Sequence, residues 1–174
     1  MKYQELILQS KKNLQLHPPA IDGIVSINIF ELGAKWMYDK LNEDKKHAAF
    51  NQSINFSAYG SLKYGISLLA FLFSIVQFIK INFCLLPISI VIFYLVEVHF
   101  LFLFPFLIDS VQKPVWTSIK QTYKTGIFTT VFNVIHIGFF MVFGLLNLKD
   151  PFRNWYIGCL SIIIWYKNEI RDRI

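Results

Sequence analysis

The pattern of apolar and polar positions changes character near residue 60. Before it, apolar residues recur at helical steps among many polar ones. After it, they run in long blocks. Residues 2–16 read as a short amphipathic helix with Tyr3, Leu6 and Leu14 on one side. HPPAIDG, residues 17–23, ends it, because paired prolines and a glycine cannot continue a helix. A second helix is predicted from Asp22 or Asn28 to Leu41. Ile27, Phe30, Ala34, Met37 and Leu41 recur there at three- and four-residue steps and make an apolar stripe. Asn28 and Glu31 have the spacing of a capping box, and Glu31 and Lys35 make an i,i+4 pair. Residues 42–60 are polar.

Beyond residue 60 the blocks predict membrane spans at about 62–79, 83–107, 126–146 and 153–167. The first two are joined by a tight turn at Lys80-Ile81-Asn82. Pro87 opens the second span, where proline is tolerated, and Pro105 closes it. The first three are long enough for a hydrocarbon core of ~30 Å. The fourth is short: the twelve residues from Trp155 to Tyr166 cover about 18 Å. Its aromatic pairs, Trp155-Tyr156 and Trp165-Tyr166, are spaced as a membrane belt. Residues 110–124 carry Trp116, Ile119 and Tyr123 on one face, with Lys113, Lys120 and Lys124, and read as an interfacial helix or an extension of the next span. The expected fold is all-α: an integral membrane four-helix bundle over 61–168, an N-terminal cytoplasmic or interfacial helical region over 1–60, and a tail at 169–174. Three spans plus an interfacial helix is the competing arrangement.

Composition agrees with this reading. Of 174 residues, 55% are hydrophobic and only 16% charged, against about 25% charged in soluble domains. The net charge is +6, but no Gly-rich loop, dense Arg cluster or nucleic-acid module accompanies it, so nucleic acid is not an expected partner. Most basic residues flank apolar runs, as membrane orientation requires. Lys45, Lys46, Lys63, Lys113, Lys120, Lys124, Lys167, Arg171 and Arg173 fall on one side. Lys80, Lys149 and Arg153 fall on the other. Both termini are therefore expected in the cytoplasm, with a bacterial inner membrane as the location. That topology discounts the glycosylation sequons at Asn51 and Asn55. The N-terminus has no continuous apolar segment or cleavage site of a signal peptide. Cys84 and Cys159 lie inside apolar runs without a C-x-x-C pattern, and read as small buried residues.

Candidate chemistry is sparse. Glu97 and His99 interrupt the second span, where a charged side chain costs roughly 2.5–3.5 kcal/mol on insertion scales, so each is a functional-site candidate. They are two residues apart and point about 200° away from each other, so they do not form one motif. Tyr94 shares a face with Glu97. In the third span, Thr129, Asn133 and His136 make a polar stripe. Lys63, Ser67, Ala70, Ser74 and Gln77 make another in the first span, and Gly158, Ser161 and Trp165 a third in the fourth. Glu97 and His136 lie at similar depth from the loop they share, so a Glu97–His136 contact is expected, with Tyr94 and Asn133 alongside. His99 is expected to touch another helix or subunit.

That contact has three readings. It is a polar staple between helices, a proton or ion path, or an acid–base site for a lipid or isoprenoid-like substrate with Glu97 as base and His136 as acid. The possible ligands are too few and too poorly aligned for a metal, and no cofactor or catalytic motif is present. The leading expectation is a non-catalytic subunit, anchor or self-associating effector or pore. Its partners would be the bilayer and either another protein or further copies of itself. The intramembrane enzyme and the proton-coupled carrier are the alternatives.

Overall fold

The computed structural model describes residues 1–16, 28–43, 50–51 and 53–173, and all regular structure among them is helical. The HPPAIDG break, Ile27, Lys45, Lys46 and His47 lie outside the described residues. Three segments are long and apolar enough to cross a membrane: Phe56–Ile81, Phe83–Ile108 and Ile127–Gly144.

In chain order, α1 is Tyr3–Leu16, α2 Ile29–Leu41, α3 Phe56–Ile81 and α4 Ile88–Glu97. They are followed by α5 (Leu103–Ile108), α6 (Pro114–Thr125), α7 (Ile127–Gly144) and α8 (Arg153–Glu169). The Asn55 side chain caps α3 by accepting from the Ala58 N–H at 2.8 Å. The helix therefore starts six residues before the expected span. Asn82 ends the turn after α3, its side chain accepting from the Cys84 N–H at 2.9 Å. Asn28 precedes α2 as expected, but no side-chain cap bond forms there. Glu31 instead accepts from the Ser57 hydroxyl of α3 at 2.8 Å.

The second apolar segment is not one straight helix. It passes from α4 through a 3₁₀ turn at Val98–Phe100 into α5. Pro105 explains the break. It has no N–H to offer the Leu101 carbonyl, and its ring crowds that carbonyl, so the regular ladder fails one turn before the proline. Two carbonyls of the 3₁₀ turn, of which Val98's also accepts from the Leu101 N–H at 3.2 Å, are bonded by α6. Thr122 Oγ1 donates to the Val98 carbonyl at 2.8 Å, and the Ser118 hydroxyl donates to the His99 carbonyl at 2.9 Å. Hydroxyl side chains of neighbouring helices are how a broken span keeps its backbone satisfied away from water.

α3 runs antiparallel to the second segment. Phe56 stacks near Phe104 at 6.0 Å between centroids, and Phe71 meets Phe93 edge-on at 6.2 Å. Only 11% of the most apolar stretch of α3 is buried, against 56% of the second segment, so α3 is peripheral and the second segment central. α8 returns antiparallel along α7. Gly158 lies against Met141 and Ile137, and Gly144 against Asn154, whose amide donates to the Phe140 carbonyl at 3.2 Å.

The fourth expected span corresponds to α8, but α8 is an internal helix. Ile157, Gly158, Leu160, Ser161, Ile163, Trp165 and Tyr166 are all buried, with α7 on one side and α1 and α2 on others. Its length of about 25 Å and lower apolar content set it apart from the three long apolar segments. The N-terminal helices share its core. α1 lies antiparallel to α8, with Leu6 in the same apolar cluster as Phe102, Leu160 and Trp165, and Ser10 2.9 Å from Ser161, hydroxyl to hydroxyl. α2 places Ala34 against Phe56 and Leu103. Packing thus continues across residue 60.

Candidate functional site

Glu97 is the last residue of α4, immediately before the 3₁₀ turn, and it is 9% exposed. Its partner is Lys63 of α3, whose ammonium lies 2.7 Å from the carboxylate and which is itself 6% exposed. The Lys63 ammonium also sits 5.0 Å from the centre of the Tyr64 ring, and Cys159 of α8 lies within electrostatic range of the pair. Lys63 is on the buried stripe of α3 together with Ser67 and Ser74. That stripe is as the sequence indicates, but its lysine acts as a counter-ion inside the protein, not as a flanking charge.

The expected Glu97–His136 contact is not formed. His136 hydrogen-bonds with the Phe132 carbonyl of its own helix at 2.7 Å and stacks on Tyr3 of α1 with ring centroids 4.4 Å apart. The reason is rotational phase. Gly138 is the α7 residue that faces the second segment, since a Cβ there would overlap the Tyr94 phenol. His136, two residues away, points about 200° from Gly138 and so away from Glu97. The buried face of α7 runs through Thr130, Asn133, Val134, Ile137 and Gly138, while Thr129 is exposed.

Asn133 does not join Glu97 either. Its carboxamide acts as a backbone mimic for the start of the chain. The Tyr3 N–H donates to Asn133 Oδ1 at 3.1 Å, and Asn133 Nδ2 donates to the Met1 carbonyl at 3.1 Å. His99 does meet another helix, as expected: one ring nitrogen hydrogen-bonds with the Leu95 carbonyl at 2.7 Å and the other with the Tyr123 hydroxyl of α6 at 3.1 Å. Of the five candidate residues, Tyr94 remains packed on the side of the helix that carries Glu97, and the other three belong to separate contacts.

A second polar cluster closes one end of the molecule. The Arg171 guanidinium donates to Asp109 at 2.8 Å, to the Leu41 carbonyl at 2.6 Å and to Asn42 Oδ1 at 2.9 Å. The Tyr166 hydroxyl donates to the other Asp109 oxygen at 2.8 Å. Arg171 thereby ties the end of α2 and the end of α5 to the end of α8. Nearby, Glu169 pairs with the Met1 ammonium and accepts from the Trp165 indole N–H at 2.9 Å. Partial burial pushes the Glu169 carboxyl up, but these two donors outweigh it and hold the group below its ordinary value.

Lys63 is the residue that sequence reasoning assigned elsewhere. The signal was available: it sits on a stripe of small residues inside a helix antiparallel to the second span, at a similar distance from the turn at 80–82 as Glu97. Among the described residues no group of three His, Cys, Asp or Glu side chains could hold a metal ion. Compared with known proteins, the chain matches no family model, no curated protein and no solved structure.

Proposed function

We propose that this chain is a small multi-pass protein of a bacterial inner membrane that acts as a non-catalytic subunit, anchor or self-associating effector or pore of a larger system. One observation carries the reading. α1 packs beside α7, with Tyr3 on His136 and the Lys11 ammonium 5.3 Å from the centre of the Phe140 ring. α7 is one of the three helices long and apolar enough to span. The outer face of α1 therefore sits at span depth, and it exposes Gln4, Glu5, Gln9, Lys11 and Lys12. Charged groups facing hydrocarbon there cost roughly 2.5–3.5 kcal/mol each. Such a face needs water or protein against it, which association supplies. Glu97 supports a non-catalytic role, because its carboxylate is committed to Lys63 in a nearly closed environment. An acid–base centre on Glu97 and His136 lacks the contact it requires.

The experiment is single-cysteine mapping in a Cys84→Ser/Cys159→Ser background, in native membranes. Gln9→Cys and Lys12→Cys should react with a membrane-impermeant maleimide or cross-link to a neighbouring chain. Leu69→Cys on α3 should do neither. An inert Gln9→Cys and Lys12→Cys, alongside an inert Leu69→Cys, would overturn the proposal.

The buried Lys63–Glu97 pair supports a second reading, a proton-coupled carrier, since paired ionisable groups inside spans mark proton paths. Proteoliposomes under an imposed pH gradient test it. Equal proton flux with wild-type protein and Glu97→Gln would remove this reading.

A further inference from the structure

We infer that α6 is a docking surface for anionic phospholipid headgroups at the edge of the apolar belt. Lys113, Trp116 and Lys120 follow one another at three- and four-residue steps from the helix start, and Tyr123 and Lys124 lie three and four residues beyond Lys120, so all five share one side. All five are exposed, Trp116 to 66% and Tyr123 to 58%. The opposite face is fixed to the protein, with Ser118 and Thr122 fully buried on the carbonyls of the broken span. The stripe therefore cannot rotate inward.

Its position and its charge identify the occupant. On the second segment, exposed large apolar residues run from Phe83 to Leu95, past which the segment is buried in the protein, and on α3 they begin at Leu62, next to the Lys63 that meets Glu97. α6 is bonded to Val98 and His99, immediately past that limit, and Tyr123 hydrogen-bonds with His99. Through Gly126 it leads directly into α7, where Phe128 at 88% exposure begins the next apolar surface. α6 thus lies along the boundary where apolar surface gives way to polar. Between Asp109 and Asp150 the chain has no acidic residue, so no carboxylate of α6 itself or of α7 competes with a phosphate for the three lysines of the stripe. Trp and Tyr rings alternate with them, placing apolar area at acyl-chain level and ammonium groups at phosphate level. Lysines that snorkel beside interfacial aromatics match a lipid phosphate with two acyl chains below it better than a free anion.

The test uses the full-length protein in mixed micelles containing phosphatidylglycerol and phosphatidylcholine, with co-purified lipid counted after equilibration. Wild-type protein should retain phosphatidylglycerol in preference to phosphatidylcholine. Each Lys→Gln change at 113, 120 or 124 should lower that preference about fivefold, the factor that corresponds to ~1 kcal/mol per lysine at an anionic surface. Lys149→Gln, away from α6, should leave the preference unchanged, and so should excess inorganic phosphate. No preference in the wild type, an unchanged preference in the triple Lys→Gln variant, or displacement by inorganic phosphate would overturn the inference. Because the lysines are exposed, the triple variant should keep its melting temperature. It should also still float with phosphatidylcholine vesicles, which separates loss of headgroup binding from loss of membrane insertion.

Discussion

Removing either partner of the Lys63–Glu97 pair leaves the other charge buried without compensation. That costs about 3–5 kcal/mol, whereas replacing both partners with apolar side chains of similar volume is often neutral or stabilising by about 1–4 kcal/mol. Glu97→Gln and Lys63→Met should therefore each lower the melting temperature in detergent by several degrees, and Lys63→Met/Glu97→Met should recover most or all of the loss. A double variant as unstable as the sum of the singles would mean that the two residues do not act as a pair. Glu97 was legible in the sequence because an ionisable group inside an apolar run must be satisfied. Its partner was not. Depth arithmetic offers neighbours on both flanking helices, and only the rotation of each helix chooses between them. α3 turns Lys63 inward at 2.7 Å from Glu97, while α7 turns Gly138 toward Tyr94 and His136 toward Tyr3. The same 200° argument that separates His99 from Glu97 separates His136 from Gly138, but it needs the contact face of α7 as its starting point.

The break in the second segment depends on hydroxyls that a different element supplies. Thr122→Val keeps the shape of the side chain but leaves the buried Val98 carbonyl with one partner fewer, and Ser118→Ala does the same at His99. A buried polar group that loses its partner costs about 1–3 kcal/mol. Ser118→Ala should lose stability by that order in thermal melts, and Thr122→Val, whose Val98 carbonyl keeps the Leu101 N–H at 3.2 Å, by about 0.5–1.5 kcal/mol, with the pair less than additive because both dock the same helix. If Thr122→Val melts with the wild type, α6 does not support the break. Element lengths were partly readable from the apolar runs: α7 and α8 lie within two residues of their expected limits, whereas α3 starts six residues early. The break was not, because Pro105 reads equally as the end of a span and as an interruption within it. The carboxyl of Glu169 is held below its ordinary value of 4.5, so its contribution to docking the start of α1 is fully present above that pH. It is lost as the pH falls through the lowered value. Trp165 emission, reporting on the indole that donates to Glu169, should therefore be flat between about pH 5 and 7 and change on stronger acidification. A transition centred near neutrality would contradict this assignment.

The molecule as a whole has two unlike sides. α3, the 3₁₀ turn after it and α7 present a surface dominated by Leu69, Phe73, Phe83, Phe128 and Phe143, which suits lipid. α1 presents amides and charges beside the same α7 that a bilayer would surround. The association proposed above would cover the polar side, which is the costlier of the two to leave in hydrocarbon. α8 illustrates the consequence: it can be short and contain Gly158 and Ser161 because α1, α2 and α7 shield it, so membrane length rules do not act on it directly. If the polar face of α1 is what drives association, converting it to an apolar face should remove that drive without disturbing the contacts beneath. Gln4→Leu/Gln9→Leu/Lys12→Leu changes only exposed positions and leaves Leu6, Ser10 and Leu14 in place. Light scattering in detergent or nanodiscs should give wild-type particles heavier than one chain of 20.4 kDa, after subtraction of lipid and detergent. The variant should fall to a single chain with its helical circular dichroism intact. A variant that keeps the wild-type mass would place the association surface on another helix, and a monomeric wild type would leave a partner protein as the source of cover for α1.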